Sequence, residues 1–136
     1  MTDLRIEKMD EALATAYAAL SKTAFDDPAQ LDPKHVVWKH VATPNGPSTA
    51  YHLYDGERLV GRTLSQPRAL RINGDRLNGA FMIDLYIHPD YRGGLNFMRL
   101  MEAVEAETLV YQRSVVLGLR GAGQGMVWGG VSKGVV

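Results

Sequence analysis

The stretch from His88 to Phe97, HPDYRGGLNF, contains residue types that can bind an anion. Arg92 supplies a fixed positive charge with several hydrogen-bond donors. Gly93 and Gly94 let the backbone approach an oxygen atom closely, because they carry no Cβ. A helix that begins here would also present unpaired N–H groups with a partial positive charge. The stretch therefore indicates a phosphate site. The alternative is a simple strand–turn–helix joint in which glycine only relieves strain.

The segments on both sides of this turn have the required periodicity. The preceding run FMIDLYI alternates as a β-strand does, which predicts Phe81, Ile83, Leu85 and Ile87 on one face and Met82, Asp84 and Tyr86 on the other. After the turn, apolar residues at helical spacing predict a helix over about Leu95 to Thr108. Asp84 is the only charged residue of the strand, which makes it a candidate for chemistry.

The rest of the chain predicts an α+β fold in the order β-α-α-β-β-β-α-β. A strand at Leu4 to Glu7 precedes a helix capped by Asp10, and a second, short helix covers Lys34 to Val41. Two hairpins follow, because Asp55-Gly56 and Asn73-Gly74 favour tight turns between alternating segments. SVVLGL, Ser114 to Leu119, predicts one more strand. The sheet should be mixed and mostly antiparallel, with helices against it.

Composition excludes several classes of function. The chain has 15 Lys and Arg residues and 15 Asp and Glu residues, so its formal net charge is zero. It therefore has no overall positive electrostatic field that would attract nucleic acid. It contains no cysteine, which excludes disulfides and thiolate metal sites and suits a reducing compartment. No run is long and apolar enough to cross a bilayer. We therefore expect a cytoplasmic protein without nucleic-acid partners, membrane insertion or a bound metal.

The end of the chain differs in composition from the rest. No acidic residue occurs from Thr108 to Val136, and six of the 14 glycines lie between Gly121 and Gly134. We divide the chain into a domain over residues 1–119 and a Gly-rich tail over residues 120–136. A disordered tail, a loosely packed strand pair, and a shifted reading frame or truncated coding region all remain open explanations.

IDLYIHPDYRGGLNF resembles motif A of the GNAT superfamily, whose members are acyltransferases that use acyl-coenzyme A. The order of helices and strands resembles the N-terminal half of the same fold, so the resemblance extends from Leu4 to about Thr108. The segment from Trp38 to Arg62 also resembles a bacterial GNAT subset linked to sugar and cell-surface glycan modification. A fourth helix, usual in the family, has no counterpart in the sequence.

The resemblance implies a set of cofactor-binding residues. Arg92 occupies the Arg/Gln position of the motif, Gly93 and Gly94 its variable positions, and Leu95 and Phe97 two positions where the family has glycine. Backbone N–H groups from Arg92 through Asn96 to Phe97 are implied to hold the pyrophosphate. Leu95 would hinder close approach there unless Gly94 takes over the role of the glycine.

The resemblance also implies where the chemistry takes place. The backbone of Tyr86 and Ile87 would pair with the pantetheine arm, and the Ile87 N–H would stabilise the thioester oxygen. Asp84 is the candidate general base, with a pKa raised near the thioester. The alternative for Asp84 is a carboxylate that hydrogen-bonds a neighbouring strand or an arginine. No tyrosine is assigned as the proton donor.

The function implied is transfer of an acetyl group from acetyl-CoA to a small amine, such as an amino sugar or glycan precursor. The alternative is a non-catalytic GNAT-like module that binds coenzyme A or a partner chain. A second copy of the chain could cover the face left by the missing C-terminal elements, giving a homodimer. We expect solvated or capping roles for His35 and His40, and a core position for Trp38 with an acceptor groove as its alternative.

Overall fold

The computed structural model describes residues 1–110, 114–118 and 129–131. Its helices are α1 (Glu11–Ser21), α2 (Pro28–Leu31), α3 (Pro33–His40) and α4 (Asn96–Val110). Its strands are β1 (Asp3–Lys8), β2 (Thr49–Asp55), β3 (Arg58–Ile72), β4 (Asp75–Ile87), β5 (Ser114–Gly118) and β6 (Gly129–Val131). The predicted helices and strands are present, and α2 and β6 are additional. RLVGRTLS and RALRI, predicted as strands of two successive hairpins, form the single strand β3.

The strands form one sheet in the order β1-β2-β3-β4-β5-β6. All neighbouring strands are antiparallel except β4 and β5, which are parallel. The tight turns occur where the sequence predicts them, since Gly56, Asn73 and Gly74 all have positive φ. These pairings confirm the mixed, mostly antiparallel α+β fold.

The helices before the sheet begin at aspartates. The side chains of Asp10, Asp27 and Asp32 accept hydrogen bonds from backbone N–H groups in the first turns of α1, α2 and α3. Such caps satisfy donors that have no partner within the helix. They fix the points at which α1 and α3 begin on one face of the sheet.

Apolar residues cover both faces of the sheet. On the first face, Tyr17 of α1 and Val36 of α3 pack against Leu64 of β3. On the second face, Leu100 and Val104 of α4 pack in one cluster with β-strand residues. The sheet is thus a central layer between α1 and α3 on one side and α4 on the other.

Most of the Gly-rich tail lies outside the described residues, except for β6, which pairs with β5. The helix that is usual after the fifth strand of the resembled fold, for which the sequence shows no counterpart, would also fall outside the described residues. The boundary between residues 119 and 120 therefore stays a prediction. None of the helices in the described ranges is long and apolar enough to cross a membrane.

Candidate active site

The predicted anion site is an exposed turn between β4 and α4. A short 3₁₀ turn over Pro89–Tyr91 leads out of the strand, and the Arg92 N–H donates to the Pro89 carbonyl at 3.3 Å. Gly93 has φ +74°, a left-handed conformation that glycine adopts without steric cost. A Cβ added at Gly93 or Gly94 would meet nothing within 4 Å, so the space in front of the turn is open.

The first turn of α4 lacks the aspartate cap that the three earlier helices have. Its first residue, Asn96, instead donates from its side chain to the Tyr91 carbonyl at 2.9 Å and accepts from the Thr2 hydroxyl at 2.7 Å. Among the contacts of the described residues, no acceptor is paired with the backbone N–H groups of residues 93–98. These N–H groups are therefore available to an external anion.

Arg92, Leu95 and Phe97 surround this turn. The Arg92 Nε donates to the Ile87 carbonyl at 2.7 Å, which fixes the guanidinium beside the end of β4. Leu95 is 75% exposed, so its side chain extends into solvent and no protein group holds it over the amides. Phe97 packs into the cluster between α4 and the sheet. Phe97 thus contributes to the core, whereas Leu95 stays largely in contact with solvent.

The end of β4 forms an open edge beside the turn. β5 pairs with β4 only from Asn78 to Met82, so in the described residues no strand covers β4 beyond that point. On the other side, the His88 N–H donates to the Val60 carbonyl at 2.8 Å. Hydrogen-bonded pairs alternate along an antiparallel ladder, so the Tyr86 backbone bonds to β3, whereas the Ile87 N–H faces the open edge. Of the two predicted pairing residues, only Ile87 presents its backbone there.

Asp84 lies in a β-bulge. Arg62 pairs with Tyr86 and Leu64 pairs with Ile83, so Thr63 faces two residues of β4, Asp84 and Leu85. Asp84 has φ +60°, in the left-handed region that glycine usually occupies in bulges of this kind. The extra residue also shifts the alternation of the strand.

The shift corrects the predicted faces of β4. Ile87 packs in one cluster with Met82 and α4, whereas Tyr86 packs with Leu20 of α1. The prediction that Ile87 shares a face with Phe81 and not with Met82 is wrong, because a bulge inserts one residue into a period of two.

The Asp84 carboxylate accepts hydrogen bonds from two helices. Its Oδ2 lies 2.6 Å from the Tyr17 hydroxyl, 2.7 Å from His40 Nε2 and 2.9 Å from Lys39 Nζ. Burial would raise the pKa of Asp84, but the hydrogen bond from His40, the charge of Lys39 and the hydrogen bond from Tyr17 hold it well below its usual value. The expected rise in the pKa of Asp84 is wrong, and the carboxylate is a weak base.

Sequence reasoning missed the partners of Asp84. His40, expected to be solvated or capping, is fully buried between Asp84 and the Ser48 hydroxyl. Arg62 is also buried and donates to the Tyr17 carbonyl at 2.9 Å and the Ser21 hydroxyl at 3.0 Å. Because these residues lie at least 22 positions from Asp84, no local spacing signals the contacts.

Trp38 also departs from expectation. Its side chain is 69% exposed and faces the His35 ring, with ring centroids 5.4 Å apart, so the core position is wrong. The described residues contain no group of three His, Cys, Asp or Glu side chains arranged for a metal ion.

The family model of the acetyltransferase (GNAT) domain matches residues 5–117. The chain belongs to the GNAT acetyltransferase family. Its members use acetyl-CoA as acyl donor, and the turn, open edge and bulge described above lie within the matched residues of this GNAT domain. No curated protein matches the sequence at a significant level.

Solved structures share the fold of this GNAT domain at low sequence identity. A probable N-acyltransferase from Enterococcus faecalis is 17% identical, with TM-score 0.63, over 87% of this chain and 30% of its own. The ribosomal-protein-alanine N-acetyltransferase from Brucella melitensis is 15% identical, with TM-score 0.65, over 90% and 82% of the two chains. The aminoglycoside acetyltransferase AAC(6')-Iy, bound to a CoA bisubstrate analogue, is 16% identical, with TM-score 0.61, over 90% and 82%.

Proposed function

We propose that this GNAT domain transfers the acetyl group of acetyl-CoA to an amine of a small molecule. The observation that carries the proposal is the set of unpaired N–H groups over residues 93–98, next to the open edge of β4 at Ile87. A diphosphate needs several convergent donors, and a pantetheine arm needs a free strand edge. Both features occur at the same end of one strand.

Residues around the turn would hold the coenzyme. The pyrophosphate would accept hydrogen bonds from the backbone between Gly93 and Phe97, with Arg92 adding charge from the guanidinium nitrogens that do not bind Ile87. The Ile87 N–H is free to bond the arm or the thioester oxygen. Gly94 provides an open approach to the backbone, since a Cβ there would meet nothing within 4 Å.

The reaction needs little covalent help from the protein. A neutral amine attacks the thioester carbonyl carbon, a C–N bond forms, and the C–S bond breaks to release the coenzyme thiolate. The proton lost by the amine passes to water or to the departing sulfur. An N–H aimed at the carbonyl oxygen stabilises the charge that develops there. Positioning and backbone electrostatics are thus the main contributions of the chain.

An amino sugar or glycan precursor is the acceptor we propose. Trp38 offers an exposed aromatic face on α3, next to Lys39, which contacts Asp84. Aromatic rings of this kind supply contact area for ligands with one apolar face. AAC(6')-Iy, which has the same fold, is an aminoglycoside N-acetyltransferase, and this supports the choice.

A non-catalytic module that binds coenzyme A is the second candidate. The observation in its favour is Asp84, whose carboxylate is engaged by Tyr17, Lys39 and His40 and is a weak base. Such a module would bind the coenzyme at the same turn without releasing thiol.

We also propose a cytoplasmic location and a homodimer. The lack of cysteine suits a reducing compartment. Light scattering of the purified protein would test the assembly, and a monomer at all concentrations would exclude the homodimer.

Coenzyme binding and thiol release separate the two functions. Calorimetry with CoA tests the turn, and thiol release from acetyl-CoA with a panel of amino sugars and other primary amines tests transfer. Arg92→Ala should weaken CoA binding about tenfold, because a charge-assisted contact is lost. Arg71→Ala is the matched control, because it removes the same charge from an exposed position on the distant β3–β4 hairpin. Binding without thiol release would support the module, and equal effects of both variants would contradict the assigned turn.

A further inference from the structure

The β4 bulge needs an external restraint. Asp84 adopts a left-handed backbone that a residue with a Cβ rarely holds, with φ +60°. In the part of the chain that the structure describes, β5 does not pair with the strand beyond it, because the parallel pairing ends at Met82. A strained residue next to an unpaired edge keeps its conformation only if surrounding contacts determine it.

Asp84 is held by contacts from three elements. The carboxylate receives the Tyr17 hydroxyl from α1 and Lys39 and His40 from α3, at 2.6 to 3.0 Å. From β3, the Arg62 Nε donates to the Asp84 backbone carbonyl at 3.3 Å. These are the charged and titratable groups that face Asp84 in the described residues. Together they fix both the side chain and the backbone of the bulge.

The network continues away from the strand. Burial lowers the pKa of His40, which favours its neutral form. A neutral ring fits both contacts when Nε2–H donates to Asp84 and Nδ1 accepts from the Ser48 hydroxyl, 2.9 Å away. Ser48 in turn donates its backbone N–H to the His40 carbonyl at 2.7 Å. The bulge is thus joined to the loop before β2 as well as to α1 and α3.

We propose that Asp84 is a positioning residue: it fastens the β4 bulge to α1 and α3 and so holds the open edge at Leu85–Ile87 in shape for the coenzyme arm. The inference rests on the proposed function for the identity of the ligand. It assigns Asp84 a different role from that of a general base, and the two roles give opposite results in experiment.

Two variants distinguish the roles. Asp84→Asn keeps the shape of the side chain but removes the charge that Lys39 and His40 bind. Lys39→Met removes one of those partners and leaves the carboxylate in place. If Asp84 positions the edge, both variants weaken CoA binding, by about tenfold. The dependence of kcat on pH keeps its shape in both.

A general base would behave differently. Asp84→Asn would then remove the acidic limb of the kcat profile and leave the affinity for CoA unchanged. Lys39→Met would raise the pKa of the base and move that limb to higher pH. Either pattern would overturn the proposal.

Hydrogen exchange tests the restraint without any ligand. Amide protons of Tyr86 and His88, which bond to β3, should lose protection in Asp84→Asn and in Lys39→Met. Glu7→Gln is the matched control, because Glu7 also accepts bonds from a buried histidine and a tyrosine, His52 and Tyr54, but belongs to β1. Glu7→Gln should leave the amides of β4 protected.

The outcomes separate this proposal from the proposed function. If the wild-type protein binds no CoA but β4 loses protection in both variants, the function fails and the restraint stands. If the folded variants exchange at Tyr86 and His88 as the wild type does, the restraint is wrong, whatever the chain binds. Should Asp84→Asn not fold, Lys39→Met alone gives the same decision.

Discussion

Replacing Gly93 by alanine tests whether the turn keeps its present backbone when it binds coenzyme. Gly93 has φ +74°, where a residue with a Cβ is disfavoured by roughly 1–2 kcal/mol. A Cβ at this position would meet no atom within 4 Å, so the cost is conformational and not a clash. Gly94→Ala is the matched control, because Gly94 has equally open surroundings but lacks positive φ.

The strain should affect binding more than folding. Residues 92–95 are exposed, so in the free protein the turn can relax and the melting temperature should change little. If the coenzyme requires the present conformation, binding must restore it. A cost of 1–2 kcal/mol corresponds to about a 5- to 30-fold rise in the Kd for CoA. Gly94→Ala should stay within about twofold.

Calorimetry with CoA and thermal melts of the three proteins would decide the matter. An unchanged Kd in Gly93→Ala would mean that the bound turn has a different backbone from the one described. Equal weakening in both variants would mean that any methyl group obstructs the ligand, and the argument from φ would be refuted.

Further predictions concern Arg62 and the two buried histidines. Arg62→Met should lower the free energy of unfolding by about 3 kcal/mol in urea denaturation, since it leaves the Tyr17 carbonyl and other buried acceptors unpaired, and an unchanged midpoint would contradict this. Burial lowers the pKa of His40 and His52, so the unfolded chain binds protons first as pH falls below about 6.5. Their contribution to stability is present above that pH and declines below it. Thermal melts from pH 7.5 to 5.5 should show falling stability, with a shallower fall in His52→Gln, and a flat profile would contradict the linkage.

Local patterns determined most of the secondary structure. Aspartates before the helices, Asp-Gly and Asn-Gly turns, and apolar periods of two or 3.6 all act over a few residues, so one sequence is enough to read them. The unpaired amides at the start of α4 were also predictable, because they depend on a strand end, two glycines and a helix start that are consecutive in the chain.

Sites that join distant parts of the chain were not predictable. The pKa of Asp84 depends on Tyr17, Lys39 and His40, which the fold brings within hydrogen-bond distance across 44 to 67 residues. The strand pattern suggested a carboxylate free for proton transfer, whereas its neighbours keep it partly buried and ionised. The bulge was unpredictable too, because an aspartate, and not the glycine usual there, occupies the left-handed position at residue 84.

The sequence by itself determined which segments become strands and helices and where an anion could meet unpaired amides, because those properties arise from near neighbours along the backbone. Only the tertiary structure decided which edge of β4 stays open, which way Ile87 presents its N–H, and what state the Asp84 carboxylate has. Those properties depend on strand register and on charges brought together by packing, and no local pattern contains them.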